Sequence, residues 1–120
     1  MRKWVLAIAM IAVVPSVGMA ADAEAGKTVF NKCKACHQVD KNAVGPHLGG
    51  IVGRKAASVA DYNYSEALKK SGITWDEASL DKFIANPNGL IPNNNMKPFS
   101  GVGDANTRKQ IIDFLKTNPN

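Results

Sequence analysis

NKCKACHQVD, residues 31–40, holds the chain's only two cysteines, Cys33 and Cys36, with His37 directly after the second. A C-x-x-C pair has four chemical readings. A structural zinc site needs about four protein ligands; Cys33, Cys36, His37 and His47 are the candidates, and His37 lies too close to Cys36 to complete a tetrahedron easily. A thioredoxin-like redox pair would follow a strand in a βαβ unit, and no such pattern is present. A disulfide across two residues would be strained and would close almost no loop. The fourth reading is covalent haem attachment. Both thiols add to the haem vinyl groups, and the histidine binds iron from one face. One helical turn sets the two sulfurs along one porphyrin edge and turns the imidazole inward.

The surrounding composition favours that reading. The chain has 120 residues, enough for one domain. Its start is charged, at Arg2 and Lys3, and Trp4–Val14 is an apolar run of 11 residues. Pro15, Ser16 and Gly18 break the run, and Gly18-Met19-Ala20 offers small residues to a peptidase. Residues 1–20 therefore read as a secretory signal peptide cleaved after Ala20; the run is short of the roughly 20 residues a membrane span takes. The mature domain, 21–120, would have 100 residues, and losing Arg2 and Lys3 lowers its charge from +5 to +3. That charge allows docking on an acidic partner and is far from a nucleic-acid-binding composition. Nine glycines and five prolines leave few large apolar side chains for a core in so small a domain. Another body must fill the centre.

The periodicity predicts four helices and no strand. The first covers Asp22 to about Ala35. Asn63–Ser71 is a short one. Thr74 with Glu77 reads as a capping box opening a third, which must stop before Asn86-Pro87. Asp104 caps the last, whose Ile111, Ile112, Phe114 and Leu115 fall at helical spacing. Residues 38–62 and 86–103 read as long loops, which a compact domain keeps when they serve a function.

The iron needs a second axial ligand or an open site. Met96 is the one methionine outside the leader and sits in the polar run Pro92–Lys97. A thioether is soft and favours ferrous iron. His47 is the competing ligand, and Met96 is favoured over it.

With C-K-A-C-H, V-G-P-H-L-G-G-I-V-G-R-K, Y-N-Y-S-E-A, G-I-T-W, I-P-N-N-N-M and I-I-D-F-L-K in hand, the chain resembles the class I cytochromes c, both mitochondrial and short soluble bacterial ones. The resemblance implies an all-α fold wrapped around one covalent haem c. It implies that the Pro46 carbonyl accepts from the His37 ring, and that Arg54, Tyr64 and Trp75 hydrogen-bond a buried haem propionate. Gly26 and Phe30 would let the first helix cross the last near Phe114. Departures are visible. Leu68 and Phe83 replace polar residues near the methionine, the Lys97-Pro98-Phe99 loop is one residue longer, and Asn88, Gly89 and Asn95 stand where lysines ring the haem edge.

The implied function is single-electron transfer in the bacterial periplasm by a monomer, not an enzyme. Electrons would leave near Lys32, Lys34, Lys41 and Lys97. A membrane cytochrome bc complex is the expected donor; an oxidase, a photosynthetic reaction centre, a peroxidase or a reductase is the expected acceptor. Two rivals stand: a haem sensor or peroxidase-like enzyme with an open sixth site, and a haem-free thiol oxidoreductase.

Overall fold

The computed structural model describes residues 17–118. Most of the expected leader, like the last two residues of the chain, lies outside that range. Helix α1 runs Val17–Val29 and tightens into a 3-10 turn at Phe30–Lys32. Then come α2, Glu66–Lys70; α3, Glu77–Ala85; α4, Pro87–Leu90; and α5, Ala105–Lys116. Among the described residues there is no strand, only one isolated bridge between Lys55 and Thr74. The fold is all-α, as the periodicity predicts.

The core forms where α1 crosses α5. Ile111, Ile112 and Leu115 share the buried face of α5. Phe30, 1% exposed, meets Phe114 with ring centroids 5.2 Å apart. Gly26 makes the crossing possible. A Cβ there would lie 2.8 Å from Phe114 Cβ and would overlap the Gln110 carbonyl, so only a hydrogen lets the backbones approach. Lys109 of α5 ties the pair at its rim, 2.7 Å from both Asp22 and Asp113. Helix α3 joins through Arg108, whose Nε donates to Asp81 at 2.7 Å. Phe83 of α3 stacks on Trp75 at 5.0 Å.

Several boundaries differ from the sequence reading. The α-helical part of the first helix ends at Val29 rather than near Ala35. Helix α2 spans Glu66–Lys70 rather than Asn63–Ser71, and Ser65 caps it through the Leu68 amide. The box opening α3 is Asp76 with Ser79, not Thr74 with Glu77; Ser79 also donates to the Thr74 carbonyl at 2.9 Å. Thr74 instead lies opposite Lys55 in the bridge. The loop after α3 contains the unforeseen single turn α4, begun by Pro87 and capped by the Asn86 side chain on the Gly89 amide. Asp104 does cap α5.

The long loop from residue 38 is stapled by its backbone. Leu48 and Gly49 donate to Gln38 and Val39 at 2.9 and 2.8 Å, and Ala56 and Trp75 pair with Ile73 and Arg54, each at 2.8 Å. These bonds satisfy backbone groups that a loop against the core would otherwise leave unpaired.

Candidate haem site

The end of α1 delivers the C-x-x-C-H segment. Buried Phe30 anchors it, and its carbonyl accepts from the Cys33 amide at 2.8 Å. The Cys33 carbonyl then accepts from the Cys36 and His37 amides at 3.1 and 2.8 Å. Residues 33–37 thus close one turn, which places both sulfurs and the imidazole on one piece of rigid backbone.

His37 is buried, 7% exposed. Its Nδ1 lies 2.9 Å from the Pro46 carbonyl oxygen. A carbonyl only accepts, so Nδ1 carries the hydrogen and Nε2 keeps its lone pair. Burial pushes the His37 pKa down, against the smaller upward pull of the Pro46 hydrogen bond. The ring is therefore a neutral donor at Nε2. Gly45 forms the floor beneath it: a Cβ there would sit 2.7 Å from Nδ1 and 2.9 Å from Nε2. The Gly45 amide is itself fixed, 2.7 Å from the Cys36 carbonyl. Gly45→Ala is expected to displace the imidazole and cost about 1–3 kcal/mol through overpacking. The guanidinium unfolding midpoint of the variant should fall accordingly; an unchanged midpoint would show that the floor has slack.

Cys33 is half-buried and Cys36 exposed, and they are not joined to each other. Burial pushes the Cys33 thiol up, Cys36 adds to that, and Lys32 opposes it. Activated catalytic thiols show the opposite shift from that of Cys33.

Met96 is half-buried and packs against the core. Its amide donates to Asn94 Oδ1 at 2.6 Å, and its carbonyl accepts from Phe99 at 2.8 Å. The competing histidine has other engagements. The backbone amide and Nδ1 of His47 lie 2.9 and 3.1 Å from Asn42 Oδ1, and Asn42 donates onward to Asp61 at 3.0 Å.

Arg54 and Trp75 are brought together by their backbone pairing. The Arg54 guanidinium donates to the His47 and Gly49 carbonyls at 2.9 and 3.1 Å and borders a cleft of about 310 Å³ shared with His47 and Asp61. Burial pushes its pKa down, and the nearby Tyr64 pulls it up. Buried Tyr64 accepts from the Val59 amide at 3.1 Å and stacks edge-on against Tyr62 at 4.9 Å. Two of the five Arg54 donors are used in this way, so others stay available to an anionic group.

This set fits a flat, apolar, nitrogen- and sulfur-ligated group. The neutral Nε2 over a glycine floor and the soft thioether are suitable iron donors. Leu48, Val52, Leu68, Leu90 and Phe99 are apolar side chains left only half-buried around the core.

Comparison with known proteins gives the family. The family model described as Cytochrome c matches residues 23–119. The chain belongs to the cytochrome c family. It is 52% identical to cytochrome c-554 of Methylosinus trichosporium over 99 residues, covering 80% of this chain and 74% of that one. It is 46% identical to cytochrome c2 of Rhodomicrobium vannielii over 101 residues, covering 82% and 80%. Among solved structures, cytochrome cH from Methylobacterium extorquens superposes with a TM-score of 0.77 at 49% identity, covering 80% of this chain and 98% of that one. As a member of the family, the chain is an electron carrier with one covalent c-type haem and not an enzyme. The sequence reading did not foresee Gly45 as the imidazole floor or Asn94 as a loop brace. The signals for both were present, a glycine before Pro46 and an asparagine run before Met96.

Proposed function

We propose that the chain is a soluble periplasmic single-electron carrier, monomeric, with Cys33 and Cys36 as the attachment points and His37 and Met96 as axial ligands. The observation that carries this reading is the His37–Pro46 hydrogen bond over Gly45, which fixes the tautomer and aims a neutral Nε2 away from the backbone. When bound, the haem supplies a reversible ferric–ferrous couple. The protein's part is to hold two ligands still. His37 is held by its turn and by Pro46, and Met96 by the Asn94 and Phe99 bonds. Arg54, Tyr64 and Trp75 are the proposed partners of a propionate. Fixed ligands limit rearrangement during electron transfer, and two of them leave no position for a substrate molecule.

The charged start and short apolar run support secretion, with cleavage after Ala20. In the described residues α1 passes through that point. Cleavage would bring Asp22 and Glu24 into the first turn, where acids favour the positive helix end. No helix among the described residues is long and apolar enough to cross a membrane.

The proposed donor is a membrane cytochrome bc complex; the acceptor is an oxidase, photosynthetic reaction centre, peroxidase or reductase. Lys32, Lys34, Lys41 and Lys97 are all exposed and form the proposed docking face. Surface charges are screened over about 8 Å at physiological ionic strength. The rate of reaction with such a partner is expected to fall as salt rises. Lys32→Glu or Lys34→Glu should slow association at low salt by roughly three- to tenfold, with less effect within the complex. A salt-independent rate would remove this face from the reading. Carbon monoxide added to the reduced protein at neutral pH tests the ligand set: a six-coordinate carrier should not bind it readily, whereas a sensor or peroxidase-like site would.

A further inference from the structure

The Asn93-Asn94-Asn95 run leads into Met96, and its middle residue is the most enclosed polar side chain described, 3% exposed. Burying an amide costs free energy unless its hydrogen bonds are made, and here both ends are used. Asn94 Nδ2 donates to the Ile91 carbonyl at 2.7 Å and to Asn88 Oδ1 at 3.2 Å. Oδ1 accepts from the Met96 amide at 2.6 Å. The partners decide the amide orientation: a carbonyl faces the NH₂ and an N–H faces the oxygen. Ile91 is 4% exposed and part of the core cluster. Asn88 lies in α4, whose start is capped by the Asn86 side chain. Asn93, just before, holds φ at +66°, a left-handed conformation that asparagine tolerates. One side chain therefore connects the core at Ile91 and helix α4 to the backbone of Met96.

We infer that Asn94 is a positioning residue for Met96: its buried amide sets how readily the thioether can leave its place. This rests on the reading of Met96 as a ligand. Without the Oδ1 acceptor, the Met96 amide loses its fixed partner and residues 92–97 gain other conformations. Any added base that competes for the same position then binds more tightly, since it no longer displaces a braced loop.

The test uses oxidised holoprotein and imidazole as the competing base, with binding followed in the visible spectrum. Loss of a buried hydrogen-bond set is worth roughly a tenfold change in a binding constant. Asn94→Ala should tighten imidazole binding by about that factor. Asn94→Ser should fall between wild type and Ala, because a serine hydroxyl closes the same kind of turn more weakly. Far-UV circular dichroism of both variants should match wild type, which separates loosening of the loop from general damage. If Asn94→Ala misfolds, Asn94→Ser carries the test alone: it should tighten binding about threefold, and an affinity equal to wild type overturns the inference. Imidazole affinity within twofold of wild type for a folded Asn94→Ala, or no rescue by Ser, overturns the inference. Met96→Ala supplies the control: if it keeps the far-red sulfur–iron band, the ligand reading itself fails. If it loses the band while Asn94→Ala behaves as wild type, only the role of Asn94 fails.

Discussion

The Cys33→Ala, Cys36→Ala double variant should accumulate almost no folded protein. The core at the α1–α5 crossing is small, and helix α2 buries no residue fully. Residues 38–65 and 86–103 carry much of the remaining apolar surface, and their side chains at Leu48, Val52, Leu90, Met96 and Phe99, like Leu68 of α2, stay half-buried. A domain is stable by only about 5–15 kcal/mol, so the loss of a body that these side chains pack on removes the margin altogether. The loop residues buried in the core, Ile51, Ala56, Ile91 and Val102, are too few to restore that margin alone. The measurement is far-UV circular dichroism with guanidinium titration of the purified double variant, and a mass spectrum of the wild type. The wild type should exceed its polypeptide mass by one haem that acid-acetone does not extract. A haem-free double variant that unfolded cooperatively would show that the chain makes its own core, and that the long loops are stable for another reason.

What could be read from the sequence follows the range of the forces involved. The helix identities come from short-range periodicity, and Ile111, Ile112 and Leu115 of α5 show it plainly. Asp104 caps α5 as expected, its side chain accepting from the Asn106 amide two residues on. Thr74 fails as a cap although its spacing to Glu77 is right. It lies opposite Lys55, nineteen residues away, in a bridge whose bonds are made by its neighbours Ile73 and Trp75, and no local pattern reports such a pairing. The same holds for α4: Asn86 looks like a terminator before Pro87, but its side chain turns forward to start another turn. At the site, Cys33, Cys36 and His37 are legible because their chemistry demands adjacent spacing. Arg54, Tyr64 and Trp75 enter as proposed propionate partners only through family resemblance. Gly45 is a matter of packing: its importance is the absence of a Cβ against a ring that arrives from eight residues earlier. Asn94 escaped because asparagine in a loop usually faces water, and only the fold shows that this one is buried.

Met96→Ala should produce the largest change of any single substitution in the spectrum and potential. A thioether bound to ferric iron gives a weak far-red charge-transfer band, and the variant should lose it completely. The thioether also favours ferrous iron, so its removal should lower the potential, on the order of 0.2 V within the roughly 0.8 V range over which axial ligands act. The reduced variant should bind carbon monoxide at neutral pH, unlike wild type. Haem should remain attached, because Cys33 and Cys36 are untouched, and the His37 side should be unchanged, because Pro46 and Gly45 hold it independently of the loop. His47→Ala is the matched comparison. Its ring is bound to Asn42 and so to Asp61, and its loss should loosen that loop without touching the far-red band. Retention of the band in Met96→Ala, or its disappearance in His47→Ala, would reverse the assignment of the second ligand and with it the expectation of a high potential.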